Sequence, residues 1–346
     1  MKARCNSRGS LMLAALIYLL TGCAFDGEER TVAMRFVKPT HFPEPRYTFE
    51  NNPVNREGFE LGKALFFDPM LSRDGSVACA NCHIQAHAFA DSWLHPFSVG
   101  VDDRVGTRNA PPLFNLAFQK EFFWDGGVTH LDFTPITAIE SHVEMDERME
   151  NVVARLRAHP SYPERFKAAF GQETVTGPFV LHALSQYLLM LVSADSPYDR
   201  WVAGDQEALG SLELEGMALF RKHCESCHQE PLFHDQSYRN NGIQAEIKDA
   251  GRGRITERDA DRGKFKVPSL RNVAVTAPYM HNASFQTLDQ VLDHYSEGIH
   301  VHPNLDPIFA ANLPGLSLTN EEKVAIKAFL HALTDESFLT NPEFIP

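Results

Sequence analysis

The hydrophobic pattern changes character several times along the chain. An unbroken apolar run from Leu11 to Leu20 is preceded by Lys2, Arg4 and Arg8 and followed by small residues. Such a run is too short to span a bilayer comfortably, and its flanks predict an export signal over residues 1–22. Residues 23–55 are polar and interrupted by Pro39, Pro43, Pro45 and Pro53, which predicts a tether and an extended entry segment. From Gly58 the spacing becomes helical. Gly58-Phe59-Glu60-Leu61-Gly62-Lys63-Ala64-Leu65-Phe66-Phe67 leads into one cysteine pair and Glu215-Gly216-Met217-Ala218-Leu219-Phe220 into another, so the chain reads as a divergent internal duplication. A further helix is predicted from Pro178 through Leu184, Leu188 and Leu191, ending at the Ser-Ala-Asp-Ser-Pro break of 193–197, with a domain boundary just after it. The last helix opens with a capping box, Thr319 and Glu322, and shows Ala325, Ala328, Phe329, Ala332 and Leu333 on one face. Strand signals are few and short. The fold class is therefore mainly α, with long ordered loops that need something large packed inside them.

Composition narrows the function. The chain's 346 residues, 43% of them apolar, suffice for about two domains with a sizeable core. A formal charge of -13 argues against a nucleic-acid partner and leaves a cationic protein partner open. Four of the six cysteines sit in Cys79-Ala80-Asn81-Cys82-His83 and Cys224-Glu225-Ser226-Cys227-His228. Both are CxxCH, the attachment signature of c-type haem: two thiols one helical turn apart form thioethers with the vinyl groups, and the adjacent histidine ligates iron. A disulfide or half of a zinc site are the competing readings. Zinc would need further ligands, and only the signal-region cysteines are left over.

Two haems leave two classes: an electron carrier with both irons closed to ligands, or an enzyme in which one iron has an open face. Other segments bear on that choice. Leu61-Gly62-Lys63-Ala64-Leu65-Phe66-Phe67-Asp68, Arg108-Asn109-Ala110-Pro111, Phe123-Trp124-Asp125-Gly126, Val143-Glu144-Met145 and Val267-Pro268-Ser269-Leu270-Arg271-Asn272-Val273, continuing to Thr276-Ala277-Pro278-Tyr279, resemble the bacterial dihaem cytochrome c peroxidase and MauG family. The resemblance covers Gly58 to about Asp335. It implies two cytochrome c-like haem domains packed against each other, the peroxidatic one over 56–200 and the electron-transfer one over 201–346. It further implies Trp124 as the electron relay between the haems and Glu144 as the acid-base group on the open side of the first. Cleaving the O–O bond of peroxide needs a proton moved from one oxygen to the other, and a carboxylate can carry it. A calcium ion between the haems would fall to Asn109 and the backbone carbonyls of Thr276 and Pro278, hard oxygen donors with water completing the shell.

Axial ligands separate the branches of that family. Members that need reductive activation carry a removable histidine after the first CxxCH, and Ser98-Val99-Gly100-Val101 has valine there. His87 and His95 lie nearby but off that position, so the first haem is expected to be five-coordinate and open. For the second haem, Tyr295 falls where MauG has its tyrosine ligand and peroxidases a methionine; Met280 competes, with His294 a third candidate. A tyrosinate donor favours ferric iron. Thr134 and Ala138 replace the glutamine and proline of the MauG pocket. Leu20-Thr21-Gly22-Cys23 resembles a bacterial lipoprotein signal with Cys23 as the lipidated residue, and Ala24 after it favours the outer membrane.

The expected function is thus a dihaem peroxidase facing the periplasm. It reduces hydrogen peroxide to water with electrons from a small cytochrome c or cupredoxin. A MauG-like enzyme that uses peroxide to modify side chains of a partner protein is the alternative, and a non-enzymatic dihaem electron carrier a third reading. A homodimer stays open.

Overall fold

The computed structural model describes residues 34–91, 96–172 and 174–346. The export signal, Cys23 and His95 lie outside the described residues. Residues 34–346 form one compact unit, mainly helical, and among the described residues no helix is long and apolar enough to cross a membrane.

The first half contains α1 (Arg56–Phe67), α2 (Cys79–Cys82), α3 (Thr134–Glu140), α4 (Met149–Ala158), α5 (Tyr162–Phe170) and α6 (Gly177–Met190). After the 193–197 break come α7 (Pro197–Val202), α8 (Ser211–His223), α9 (Arg252–Thr256), α10 (Leu288–Glu297), α11 (Pro307–Ala310), α12 (Asn320–His331) and α13 (Glu336–Leu339). The strands are two residues each, β1 (Tyr238–Arg239) antiparallel to β2 (Phe265–Lys266). Local chemistry sets the helix starts. Asn55 accepts from the Gly58 amide ahead of α1, Thr176 caps α6 with Pro178 in its first turn, and capping boxes close on Thr287/Gln290 of α10 and Thr319/Glu322 of α12.

The duplication is visible in how two helix pairs meet. Gly62 of α1 lies against the carbonyl of Ala183 on α6, and Gly216 of α8 against the carbonyl of Ala325 on α12; a Cβ at either glycine would collide with that oxygen. Four residues on from each contact the same aromatic pair recurs: Phe66 with Tyr187 at 4.9 Å between ring centroids, Phe220 with Phe329 at 5.2 Å. Close backbone approach thus seats the helix before each CxxCH motif. It also aims an aromatic residue toward the space beside that motif.

Each half has its own apolar cluster. One gathers Phe59, Leu65, Phe89, Val152, Leu156 and Tyr187; the other Tyr198, Met217, Phe220, Phe233, Leu292 and Phe329. The entry segment is not merely a tether, since Phe42 and Tyr47 are buried in the first cluster. So are Phe338 and Phe344 from the C-terminal end. Gln85 donates to the carbonyls of Phe338 (3.0 Å) and Asn341 (2.9 Å), and the Tyr187 hydroxyl to that of Phe344 (2.8 Å). The halves are joined by Arg271, fully buried, whose guanidinium makes a bidentate pair with Asp199 at 2.7 and 2.8 Å and lies over the Phe42 ring at 4.6 Å. His41 completes this node, 2.7 Å from Asp199.

Candidate functional site

In the first motif α2 is a single helical turn that carries both thiols, with His83 immediately after it. The His83 Nδ1 lies 2.7 Å from the carbonyl of Phe89, and the His228 Nδ1 lies 3.1 Å from that of Phe233 and 3.2 Å from that of Pro268. A carbonyl only accepts, so Nδ1 carries the hydrogen and Nε2 keeps its lone pair in both rings. Burial pushes both imidazoles below their ordinary pKa and keeps them neutral. Phe89 and Phe233 both have left-handed backbone, with φ of 57° and 55°. Two loops of similar conformation therefore turn a carbonyl back onto the histidine, the arrangement that fixes tautomer and ring orientation in metal-ligating histidines.

The thiols are equally suited to thioether formation. Burial pushes Cys79 and Cys224 up to about 12 and Cys82 up to about 11, so they stand as neutral thiols. Among the described residues no group of three or more His, Cys, Asp or Glu side chains could hold a metal ion, which leaves the zinc reading without its further ligands. Neutral thiols on one turn, followed by an imidazole with a free Nε2, fit a covalently attached haem at each motif.

Glu144 lies in the loop between α3 and α4, close enough to the first motif for its charge to push up Cys79 and Cys82. Burial raises its own carboxyl to about 7, against a lowering by its hydrogen bond with Ser141. The segment lacking the removable histidine runs beside it: the fully buried Val101 donates its N–H to the Glu144 carbonyl at 2.8 Å, and a Cβ on Gly100 would collide with the Val143 and Glu144 carbonyls. At the rim Arg73 and Arg104 pair with Asp102 and Asp146 at 2.5 to 2.7 Å. His87 points elsewhere, its Nδ1 3.1 Å from the Val275 carbonyl.

Trp124 is held from both halves. Its indole N–H donates to the Asn109 carbonyl at 2.8 Å, and its own carbonyl accepts from the Lys266 N–H of β2 at 2.7 Å. Next to it lies a partly open pocket of about 100 Å³ walled by Phe123, Trp124, Thr134, His234, Lys266 and Pro268. Asp125, buried behind the indole, pairs with Arg108 and Arg254 at 2.6 Å each. Of the three residues expected around calcium, Asn109 and Pro278 meet directly, the Asn109 amide donating to the Pro278 carbonyl. Thr276, two residues before Pro278, donates its hydroxyl to the Val273 carbonyl at 3.3 Å. Ala138 is on α3 with Thr134.

Near the second motif, Tyr295 of α10 is partly buried and its phenol is raised to about 12, chiefly by desolvation. The Asn241 amide nitrogen lies 3.1 Å from the Tyr295 hydroxyl and 3.4 Å from the Met280 sulfur, which puts both candidate ligands in one place. His294 instead has its Nε2 3.0 Å from the Asn241 carbonyl. Sequence reasoning passed over Asn241, Lys266 and His234. Asn240-Asn241-Gly242 reads only as a turn, and nothing in the sequence placed the other two beside Trp124.

Residues 56–207 match the family model described as di-haem cytochrome c peroxidase. The chain is 37% identical over 307 residues to the methylamine utilization protein MauG of Methylorubrum extorquens, covering 87% of this chain and 84% of that one. It is also 37% identical over 249 residues to the cytochrome c551 peroxidase of Nitrosomonas europaea, covering 70% and 73% respectively. Among solved structures, a MauG-like protein associated with microbial copper homeostasis superposes with a TM-score of 0.80 at 32% identity, covering 90% of this chain and 99% of that one.

Proposed function

Because the chain belongs to the di-haem cytochrome c peroxidase and MauG family and is an oxidoreductase carrying two c-type haems and acting on peroxide, we propose that it reduces hydrogen peroxide to water with electrons from a small redox protein. Each haem, when bound, supplies an iron that exchanges electrons and, at the first motif, a coordination position for peroxide. His83 and His228 would hold the two irons through Nε2, their rings fixed by the Phe89 and Phe233 carbonyls.

Glu144 moves the proton. As carboxylate it takes the proton of the peroxide oxygen that is to stay, and as acid it returns it to the oxygen that leaves as water. Its pKa near 7 suits both directions. Val101 and Gly100 pack on its backbone and bring no imidazole into its space. Trp124, bonded to Asn109 on one side and Lys266 on the other, connects the halves and serves as the relay.

Calcium is assigned to the same junction: with the Asn109 amide turned over, its oxygen and the Pro278 carbonyl would be two hard donors, and the Thr276 carbonyl would be the third. The signal at residues 1–22 and Cys23 support export and a lipid anchor on the periplasmic side of the outer membrane. The two apolar clusters support a division near residue 200 into two haem domains. A formal charge of -13 suits a basic cytochrome c or cupredoxin donor.

The observation that carries this reading is the partly buried Glu144 carboxyl, raised to about 7, beside a valine where activation-dependent relatives place a ligand. Tyr295 over the second motif favours the second reading, a MauG-like enzyme that draws electrons from a protein substrate. The test is the optical and EPR spectrum of the ferric protein before and after one equivalent of hydrogen peroxide. One high-spin and one low-spin haem with an immediate response is expected; two low-spin haems that ignore peroxide overturn it.

A further inference from the structure

We infer that Asn241 selects between two interchangeable axial donors for the second haem, holding Tyr295 in place with its amide while keeping Met280 within reach as a reserve. One amide nitrogen stands 3.1 Å from the Tyr295 hydroxyl oxygen and 3.4 Å from the Met280 sulfur. The amide nitrogen carries two N–H groups and can donate to both acceptors at once, but the two bonds are unequal. A thioether sulfur is a weak acceptor, whereas a phenolate oxygen forms a charge-assisted bond about twice as strong as a neutral one. The amide therefore favours Tyr295 whenever that oxygen bears charge, as it does when it binds ferric iron. The Cys224 and Cys227 thiols lie close enough to act on the phenol, so this donor pair stands over the second motif and not the first.

The selector is itself rigidly placed. The Asn241 carbonyl is engaged by His294 at 3.0 Å, which removes His294 from the competition. On either side, the Asn240 side-chain oxygen accepts from the Gly242 amide at 2.9 Å and the Asn240 carbonyl from the Asp306 amide at 3.0 Å. The Gly242 carbonyl accepts from the His300 amide at 2.9 Å. Gly242 has φ of 67° and is pressed against Ile299, so the turn has little room to move. Tyr295 in turn stacks on Phe309 at 5.6 Å. Met280 sits in left-handed backbone, φ 72°, next to the turn that carries Pro278. Asn241 is a positioning residue: it acts through the two donors it touches.

This inference rests on the assignment of Tyr295 and Met280 to the second haem, and its test reads ligation without depending on turnover. The holoprotein and its Asn241→Ala, Tyr295→Phe and Met280→Leu variants are compared by ferric optical and EPR spectra and by potentiometric titration of the low-spin haem. Losing a hydrogen bond to a charged oxygen should shift the Tyr295-to-Met280 ligation ratio by about tenfold or more. N241A should accordingly gain a thioether-to-iron charge-transfer band and a higher reduction potential. Y295F should show that band in full, and M280L should resemble the wild type. An N241A protein with unchanged spectrum and potential overturns the selector role. If N241A fails to retain haem, Y295F decides: a high-spin second haem with no thioether band shows that Met280 is not a reserve ligand, and the inference falls. The high-spin signal of the first haem and its response to peroxide are followed in the same samples, so failure of the peroxidase reading is seen separately.

Discussion

Replacing Glu144 by Gln removes the one carboxyl offered as the proton carrier while keeping its size. In the fold, burial lifts that carboxyl from 4.5 to about 7, so ionising it there costs roughly 3 kcal/mol more than in the unfolded chain. Below pH 4.5 the group is neutral in both states and costs nothing. Between 4.5 and about 7 only the unfolded chain releases the proton, so stability falls as pH rises and levels off above 7. The Gln variant lacks this slope and should be the more stable protein at pH 8, by up to about 3 kcal/mol, with little difference near pH 4. Activity should move the opposite way. The carboxylate must accept a proton before it can return one, so kcat/KM for peroxide should climb about tenfold per pH unit toward a plateau above 7 in the native enzyme. In the variant it should be lower by about 10² to 10⁴, the usual worth of a positioned acid-base group, and flat across that range. Stopped-flow peroxide consumption across pH 5 to 8 and urea melts at the two ends supply both readouts. A Gln variant that keeps the wild-type rate and its acid limb refutes the reasoning, because the proton would then be carried by another group.

Three further outcomes follow from the same contacts. Trp124→Phe should leave the peroxide response of the first haem intact but slow reoxidation of the second, seen as a lag between the two optical changes after mixing; the Asn109 carbonyl loses its donor, which costs about 1 to 3 kcal/mol in a denaturant melt. Chelating calcium should lower the melting temperature of the native protein, whereas Asn109→Ala should melt at the same temperature with and without chelator, as read by calorimetry. Arg271→Leu leaves Asp199 buried with only His41 and local hydroxyl and amide donors, and should lower unfolding free energy by about 3 to 5 kcal/mol in a urea titration, more than Arg73→Leu at the exposed rim.

Much of the fold was legible because its signals are local. The capping box at Thr319, Pro178 in the first turn of α6, and the two CxxCH motifs are each decided within a few residues, and all stand where the pattern placed them. The duplication was also legible in outline, though not the glycine-to-carbonyl contacts that realise it, since Ala183 and Ala325 carry no mark of what they face. The rest depends on pairs far apart in sequence. Arg271 reads as one residue of a family motif, and only the fold brings Asp199 and His41 to it. Asn241 reads as a turn residue until α10 sets Tyr295 beside it. Of the calcium set, Asn109 and Pro278 meet in space while Thr276 shows a bond only to its own turn. Hydrogen bonds of this kind have no period and no composition, so hydrophobic patterning cannot reveal them.

The C-terminal segment has a consequence for the order of assembly. Phe338 and Phe344 fill the apolar cluster of the first half, and Gln85 grips the Phe338 carbonyl from 253 positions away. The first half is therefore completed by residues that are synthesised long after it. Until they arrive, the pocket around Phe89 and Tyr187, next to the first CxxCH motif, is open to water on one side. Closing a loop of that length is slow and entropically costly. A chain shortened before residue 336 would be damaged at the end of the molecule farthest from the cut in sequence, and haem attachment at Cys79 and Cys82 is the step that would report it.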